Sequence, residues 1–165
     1  SSLTAMAIIT EAGGKAHLWK TGHSHMKAKL REMQAPLAGE MSGHIFIADD
    51  YFGFDDALFV AVRLITSMTR RKMETGNTLT DFIDALPAIF ATPECHIDCP
   101  DDQKFGVIKT LANEFSNELP AKQINLTDGV RITTEAGWCL IRASNTEGAL
   151  VVRAEGQDAE SLAGF

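Results

Sequence analysis

Cysteine is scarce in this sequence, and it contains no long apolar run. The 165 residues include three cysteines, an odd and sparse set that does not make a disulfide framework. No stretch of about 18 apolar residues occurs, and no basic segment followed by an apolar one opens the chain, so we expect neither a membrane span nor a secretory signal peptide. The cytoplasm is the expected compartment.

Positive charge is also in short supply. Lys and Arg total 15 against 22 Asp and Glu, which gives a net charge of −7 and a pI near 5.2. A field of that sign repels nucleic acid and anionic membranes, so we expect neither as a partner. A phosphate ligand remains compatible, because one arginine and a few backbone N–H groups bind an anion locally. The apolar share of 45% is enough for a core.

The histidines, cysteines and paired aspartates do not predict a metal site. Within Cys95–Cys99 the alternation of Cys95, Ile97 and Cys99 favours one face of a strand, where small apolar groups are buried. His23 and His25 are two residues apart, which is not a helical ligand spacing. Paired aspartates such as Asp55-Asp56 are typical of turns and helix N-caps.

Residues 1–75 alternate helix and strand patterns, which favours an α/β sheet layer. The chain opens directly on a helix, so the first strand of this layer is expected to be missing. Helices are predicted from Leu3 to the Gly13-Gly14 pair, from a Ser24 cap to Met33, and from Asp55 or Asp56 onward with Leu58, Val62 and Ile65 on one stripe and Phe59 beside it. Short strands are predicted at 16–19 and 45–47.

Residues 76–165, including a linker at 76–90, predict a small α+β domain. A short helix is expected at 79–86 and a longer one from 101 to Pro120. Alternation predicts strands at 94–99, 130–134, 138–141 and 149–154, with a further candidate at 122–126. The predicted architecture is a four-stranded sheet with two helices on one face.

Gly39–His44 places a carboxylate, a hydroxyl and an imidazole between two glycines. Glycine lets a backbone turn tightly and approach a ligand, and Glu40 and Ser42 are suited to exchange hydrogen bonds with adjacent sugar hydroxyls. His44 could hold a hydroxyl or move a proton near neutral pH. The alternative is a polar turn that enters the strand at 45–47.

Arg142–Gly148 concentrates hydrogen-bond donors between two predicted strands. The fork of Arg142 suits a phosphate, and the side chains of Ser144, Asn145 and Thr146 with loop N–H groups could bind its remaining oxygens. The alternative is a hairpin with a solvated arginine. His23, in the loop Lys20–Ser24, is open to a site role or to a surface or capping role.

Six motifs together resemble the third and fourth domains of the α-D-phosphohexomutase family, the phosphomannomutase/phosphoglucomutase enzymes. They are Trp19–Ser24, Gly39–His44, Phe52–Asp56, Asp128–Arg131, Gly137-Trp138 and Arg142–Glu147. The resemblance covers nearly the whole chain, as a C-terminal portion of such an enzyme. It implies that the second domain is TBP-like.

The resemblance implies an isomerase that moves a phosphoryl group between O1 and O6 of a mannose or glucose phosphate, through a hexose 1,6-bisphosphate. A phosphoserine and Mg²⁺ perform the transfer in such enzymes. The implied partners are the hexose phosphate and the N-terminal domains of the same protein. By resemblance, Glu40 and Ser42 hold O3 and O4, and His44 is a candidate proton carrier. The implied site residues are His23, Glu40, Met41, Ser42, Gly43 and His44 for the sugar, and Arg142, Ala143, Ser144, Asn145 and Thr146 for the phosphate.

The chain departs from the family pattern in several places. The family's Thr-x-Ser-His-Asn and Asp-Gly-Asp-x-Asp-Arg loops are absent from the sequence, so we expect the chain alone to be inactive. Gly148 stands where the family usually has proline, which predicts a more mobile phosphate loop. Two alternatives stay open: a module that binds a sugar phosphate without chemistry, and a regulatory α+β domain whose loops are only turns.

Overall fold

A division after Pro87 separates the chain into two units, the second being Ala88–Phe165. The computed structural model describes residues 3–165. The division falls inside the predicted linker at 76–90, and the proposed domain limits of 1–75 and 76–165 stay a prediction. Each unit has its own secondary structure and is described by itself.

The described residues of the first unit, 3–87, form four helices and one small hairpin. The helices are α1 (Leu3–Glu11), α2 (His23–Met33), α3 (Ala57–Thr75) and α4 (Leu79–Asp84). The strands β1 (Leu37–Gly39) and β2 (Ile45–Ile47) pair antiparallel, with Ala38 opposite Phe46. In the described part of the chain, no helix combines the length and apolarity needed to cross a membrane.

Local chemistry explains where these helices start and stop. Gly13 follows α1 with a φ of 83°, the left-handed conformation that glycine adopts without strain. Asp56 caps α3 by accepting a hydrogen bond from the Phe59 N–H, and this bond, followed by one from the Tyr51 hydroxyl, lowers the pKa of the carboxyl. At α4, Thr78 and Asp81 form a reciprocal capping box.

Two local predictions in the first unit are wrong. Residues 16–19 form no strand, because no other described segment pairs with them. Ser24 does not cap α2: the N-cap is Gly22, with no side-chain bond, and Ser24 lies in the first turn. The strand at Ile45–Ile47 is confirmed, but its partner β1 was not predicted from the sequence.

The apolar stripe of α3 has the predicted helical spacing, and its side chains are exposed. Leu58 is 82% exposed, Val62 62% and Ile65 65%. The sheet of this unit has two strands of three residues each, which is too small to cover a helix of 19 residues. Its core is instead centred on Phe46 and Leu30, both buried.

The second unit is built on a six-stranded sheet. Its elements are β3 (Phe90–Ala91), β4 (Cys95–Asp98), α5 (Asp101–Glu118), a 3₁₀ turn (Ala121–Gln123), β5 (Ile124–Asn125), β6 (Val130–Thr133), β7 (Gly137–Ala143), β8 (Ala149–Gly156) and α6 (Ala159–Ala163). The strand order is β3-β8-β7-β6-β5. Strand β4 also pairs with β8, along residues 149–152, whereas β3 pairs with residues 155–156. The four main predicted strands are therefore present, extended by two-residue strands.

Register divides this sheet into an apolar and a charged side. Val130 lies opposite Ile141, which lies opposite Val152, so one row is apolar. In the neighbouring row Arg131 and Arg153 lie on either side of Leu140. Successive residues of a strand point to opposite faces, so the two rows are on different faces. Helix α5 packs against β6, β7 and β8, and α6 packs against β8 and β3.

The prediction that Cys95, Ile97 and Cys99 are buried together is wrong for two of the three. Cys95 and Ile97 are exposed, and Cys99 is buried. The alternation is real, but β4 has a strand neighbour only at β8, and its whole length is exposed. An edge strand with one partner does not bury its face merely because the face is apolar.

Replacing Gly129 or Gly106 with alanine should change the stability of the protein in opposite directions. Gly129 has a φ of 82°, and an added Cβ would lie 2.3 Å from the carbonyl oxygen of Ile141 and 2.7 Å from Cα of Arg142. Gly129→Ala should lower the free energy of unfolding by more than the roughly 1–3 kcal/mol typical of left-handed strain. Gly106 lies within α5 with nothing within 4 Å. Gly106→Ala should raise stability by about 0.5–1 kcal/mol.

Urea unfolding in a Trp19→Phe background, where fluorescence reports the buried Trp138, measures both effects. Equal and small changes for the two variants would contradict the close approach of the Gly129 turn to β7.

Candidate functional site

The loop between β1 and β2 is a tight hairpin turn. The Glu40 N–H donates to the His44 carbonyl at 2.8 Å, and the Gly43 N–H donates to the Glu40 carbonyl at 3.1 Å. Gly43 has a φ of 91°, so the turn is of the three-residue kind that ends on a left-handed residue. Met41 and Ser42 lie at its exposed tip. The backbone thus presents the polar side chains of this loop on a rigid hairpin.

Glu40 joins this hairpin to the start of α2. Its Oε1 accepts from the Gly22 N–H at 3.1 Å, and its Oε2 accepts from the Ser42 hydroxyl at 3.4 Å. A carboxylate is favoured there, because a helix N-terminus carries partial positive charge. His23, the first residue of α2, is adjacent to Gly22 and exposed. The structure therefore joins Glu40 and Ser42 to each other and to Gly22, the residue before His23.

His44 has a partner that sequence reasoning missed. Its Nδ1 forms a hydrogen bond with Oδ2 of Asp55. The backbone brings them together, because Asp55 forms a β-bridge with Phe46, two residues after His44. The side chains are 49% and 34% exposed, so the imidazole remains open to a ligand. The sequence did contain a hint of this contact in the pair Asp55-Asp56. Only one of the two carboxylates can cap α3, and because Asp56 does so, Asp55 is available for another partner.

The phosphate loop predicted at Arg142–Thr146 connects β7 to β8. Arg142 belongs to β7, half-buried, and among the residues described no side chain or carbonyl pairs with its guanidinium. Ala143 ends the strand and is also half-buried. Asn145 and Thr146 are exposed at the tip.

Ser144 differs from its predicted neighbours because it is buried. Its hydroxyl oxygen accepts from the N–H groups of Thr146 at 3.3 Å and Glu147 at 3.1 Å. The Ser144 N–H donates to the Ala149 carbonyl at 2.9 Å and continues the strand pairing. Ser144 therefore shapes the loop by closing a turn on itself.

Lys104 of α5 is a second residue that sequence reasoning missed. It is 5% exposed, and its Nζ donates to the carbonyl oxygens of Ser144 at 2.8 Å and Glu147 at 2.9 Å. The same Nζ lies 2.6 Å from Oδ1 of Asp101. The helical pattern predicted α5 correctly, but a lysine in that pattern is ordinarily exposed, so nothing in the sequence indicated this burial.

Positive charge is concentrated on the charged side of the sheet. Arg131 and Arg153 flank Leu140, and Arg142 is two residues further along the same strand and face. Glu155 lies on the same face and accepts from Arg153 at 3.3 Å. Arg142 therefore lies on a sheet face that carries two further arginines within a chain that is acidic as a whole.

Trp138 organises the buried end of this charged face. The Arg131 guanidinium lies 3.9 Å from its ring centroid, and its indole N–H donates to Glu155 at 3.0 Å. Burial lowers the pKa of Arg131, and the Glu155 carboxylate partly opposes that shift. The aromatic ring and the shared carboxylate fix the strands from which Arg142 emerges.

Within residues 3–165, no group of three or more His, Cys, Asp or Glu side chains converges as a metal ion requires. His96 illustrates why proximity alone is insufficient: its ring nitrogens contact Glu147 at 3.0 Å and Glu94 at 3.3 Å, each on a different side of the ring. These contacts tie β4 to the far end of the phosphate loop.

The His96 contacts predict a pH dependence of stability. Hydrogen bonds to Glu147 and then Glu94 raise the pKa of His96 above its ordinary value of 6.5. The pKa of His96 is thus higher in the folded protein than in the unfolded chain. Its contribution to the free energy of unfolding is therefore complete below pH 6.5 and is lost as the pH rises through the folded pKa. The difference in unfolding free energy between wild type and His96→Gln, from urea titrations, should shrink as the pH rises from about 5.5.

The exposed His17 provides the matched control. His17→Gln should leave the pH profile unchanged, and a His96→Gln profile parallel to wild type would contradict the proposed tie.

Two sequence profiles of one family match the chain. They are described as phosphoglucomutase/phosphomannomutase, alpha/beta/alpha domain III, over residues 1–90, and phosphoglucomutase/phosphomannomutase, C-terminal domain, over residues 68–165. The overlap at 68–90 contains the division between the two units. Together the matches extend over the whole chain.

Individual proteins show the same similarity. A phosphomannomutase/phosphoglucomutase of Pseudomonas aeruginosa is 39% identical over 157 residues, covering 95% of this chain and 33% of its own length. A phosphoglucomutase of Neisseria gonorrhoeae is 38% identical over 148 residues, 89% of this chain and 31% of its own. A crystal structure of a phosphoglucomutase/phosphomannomutase family protein from Burkholderia thailandensis matches with a TM-score of 0.83 and 35% identity, over 98% of this chain and 33% of that one. The chain thus spans about a third of the length of these relatives.

Proposed function

This chain belongs to the phosphoglucomutase/phosphomannomutase family, and we propose that it supplies the sugar-binding and phosphate-binding surfaces of a hexose-phosphate mutase. The observation that carries the proposal is Arg142, whose guanidinium has no partner within the described residues and lies on a face that holds two more arginines. The whole enzyme would interconvert hexose 6-phosphate and hexose 1-phosphate, with residues beyond this chain performing the transfer.

At the phosphate end, Arg142 is proposed as the principal ligand. A guanidinium offers two parallel N–H donors that match two phosphate oxygens. Asn145 and Thr146, which are exposed on the adjoining loop, are proposed to add donors. Ser144 is proposed to hold the shape of the loop and not to contact the phosphate itself. Its buried hydroxyl already accepts hydrogen bonds from two backbone N–H groups.

At the sugar end, Glu40 is proposed to accept hydrogen bonds from vicinal hydroxyls. Its Oε1 is held by the Gly22 N–H, whereas its Oε2 has only the long 3.4 Å contact with Ser42. A sugar hydroxyl could replace that weak contact without breaking the bond that orients the carboxylate. Ser42 is then free to bind the neighbouring hydroxyl. The proposed sugar site also includes His23, at the start of α2, and Met41 and Gly43, in the loop between β1 and β2.

His44 is proposed as the proton carrier. Asp55 accepts a hydrogen bond from the Nδ1–H group of His44. This bond fixes the tautomer in which Nε2 has a lone pair for a substrate hydroxyl. The carboxylate also stabilises the imidazolium that forms when the proton is taken up. The tautomer is inferred from this pairing, since hydrogen positions follow from the network of hydrogen bonds.

Mg²⁺ enters the proposal only through the family. The described residues of this chain do not fit a metal site, because no group of three candidate ligands converges. The ligands of the ion would belong to the rest of the polypeptide, as would the phosphoserine. Hexose 1,6-bisphosphate would be the intermediate of the complete enzyme.

Replacing Arg142 tests the phosphate end directly. Arg142→Ala should weaken binding of glucose 1-phosphate and mannose 1-phosphate to this chain by about 1–3 kcal/mol, or roughly 5- to 150-fold, because a charge-assisted hydrogen bond is lost. Isothermal titration calorimetry measures the change. Arg70→Ala removes the same charge from an exposed position on α3 and should have no effect.

The same titrations separate the alternatives. Unchanged affinity in Arg142→Ala would favour a regulatory α+β domain whose loops are only turns. Equal binding of free glucose and glucose 1-phosphate would likewise contradict a phosphate site.

A chimera tests the whole-enzyme proposal and the role of His44. The matching third of the Pseudomonas aeruginosa relative is replaced by this chain, and conversion of glucose 1-phosphate to glucose 6-phosphate is measured. His44→Gln should lower kcat by about 10²–10⁴-fold with little change in KM, since a general acid–base group acts in the transition state. Asp55→Asn should also lower kcat, because the other imidazole tautomer becomes favoured.

His25→Gln, at an exposed position of α2, is the matched control and should retain full kcat. This chain alone should be inactive. A correctly folded chimera that binds glucose 1-phosphate but does not convert it would contradict the mutase proposal.

A further inference from the structure

Glu147 lies in the connection that follows Arg142, yet its carboxylate pairs with a residue of another strand. Its Oε2 lies 3.0 Å from Nδ1 of His96 on β4. Within the described residues, no side chain or carbonyl pairs with the guanidinium of Arg142. A carboxylate and a guanidinium five residues apart attract each other, so their separation indicates a competing contact. His96 makes that contact.

Strand register places His96 and Arg142 in one row of the sheet. His96 lies opposite Val151, and Val151 lies opposite Arg142. Directly opposite residues share a face, so the two side chains flank Val151, which is 3% exposed. Neighbouring strands lie about 4.8 Å apart, so roughly 10 Å separates the backbones at His96 and Arg142. The Glu147 carboxylate therefore has a partner at one end of this row and a potential partner at the other.

Packing does not hold Glu147 at the His96 end of the row. Its side chain is 60% exposed, and that of His96 is 44% exposed. Glutamate and arginine side chains are long and have several rotatable bonds, so they change rotamer readily at an exposed position. The contact with His96 thus determines where this carboxylate lies, and a carboxylate that loses the contact can move toward Arg142.

Protonation of His96 controls that contact. Both ring nitrogens face carboxylates, Nδ1 at Glu147 and Nε2 at Glu94, the latter at 3.3 Å. Only the imidazolium donates from both nitrogens, whereas the neutral ring donates from one and cannot satisfy both carboxylates. The hydrogen bond to Glu147, followed by that to Glu94, raises the pKa of His96 above its ordinary value of 6.5. The charged ring is therefore present near neutral pH and is lost as the pH rises through the raised pKa.

Four further charged groups lie around this histidine on the neighbouring elements. They are Asp98 of β4, Arg142 of β7, Arg153 of β8 and Lys104 of α5. Asp98 repels a second carboxylate, and Arg153 donates to Glu155 at 3.3 Å. Lys104 contacts the carbonyl oxygen of Glu147 at 2.9 Å and not its carboxylate. Among the described residues around the loop, Arg142 is therefore the cation with which a released Glu147 carboxylate would pair.

We propose that His96 is a pH-dependent switch for the arginine site: its imidazolium holds the Glu147 carboxylate away from Arg142, and loss of the proton lets that carboxylate pair with Arg142 and compete with a bound anion. The inference rests on the proposed function, in which Arg142 binds a sugar-borne phosphate, and adds the regulation of that site by pH. Anion binding and protonation of His96 then favour each other, because thermodynamic coupling between two sites is reciprocal.

Two substitutions have different expected effects. His96→Leu removes both donors and releases Glu147, so the Kd for glucose 1-phosphate at about pH 6.5 should rise about two- to sixfold, the range in which an exposed ion pair competes for one arginine. Glu147→Gln removes the competitor, so its Kd should equal or fall below that of wild type. The double variant should bind like Glu147→Gln, because His96 acts through that carboxylate. Isothermal titration calorimetry at low ionic strength measures these constants.

A pH series tests the proton directly. The ratio of the wild-type Kd to the Glu147→Gln Kd, measured at one pH, cancels the titration of the ligand itself. This ratio should rise about two- to sixfold between about pH 6 and about pH 9, as His96 loses its proton, and in a His96→Leu background it should be high throughout. His17→Leu, at an exposed position, and Asp98→Asn, which removes the same charge from the same strand face, are the controls and should match wild type.

The outcomes separate the switch from a merely structural contact. If Glu147→Gln weakens binding as much as His96→Leu does, the contact only shapes the loop and the switch is overturned. A ratio that does not change with pH also overturns it, and this measurement needs no substitution at His96, so it decides even if His96→Leu does not fold.

Failure of the switch and failure of the proposed function are distinguishable. If Arg142→Ala weakens binding while His96→Leu binds like wild type, the switch is overturned and the proposed function stands. If Arg142→Ala itself binds like wild type, the proposed phosphate site is overturned and this inference with it.

Discussion

The antiparallel register of β7 against β8 is the constraint on which the proposed phosphate site depends. It runs from Gly137 opposite Gly156 to Ala143 opposite Leu150. A slip of one residue would move Arg142 to the other face of the sheet and place it among apolar side chains. The same register fixes the two ends of the intervening loop, so that its carbonyls meet Lys104. The turn at Gly129, which packs directly on the backbone of Arg142, adds a local restraint.

The two loops follow one physical plan in two separate units. In each, a polar side chain binds backbone N–H groups first: Glu40 holds the Gly22 N–H, and Ser144 holds those of Thr146 and Glu147. Groups that are already oriented lose less conformational freedom when a ligand arrives, which improves affinity. The groups proposed to bind a ligand directly are consequently few, chiefly one oxygen of Glu40 and the guanidinium of Arg142.

Most elements of the fold could be predicted from the sequence, because periodicity and capping residues are local signals. Helix α5 and strands β6 to β8 follow their patterns closely, and Asp56 caps α3. The misses are non-local. Strand β1 has only three residues, and residues 16–19 look like a strand but find no partner. Burial of the α3 stripe depends on what covers it, and a periodic pattern does not contain that information.

Residue types and their order determined by themselves which loops bear the candidate chemistry, because a carboxylate, a hydroxyl, an imidazole and a guanidinium have fixed hydrogen-bonding properties wherever they lie. Tertiary structure alone decided how those groups are held. It placed Asp55 against His44 through a β-bridge, and it buried Lys104 beneath a loop 40 residues further along the chain. Such pairings arise from strand register and helix packing, which join distant segments, so no local window of sequence can specify them.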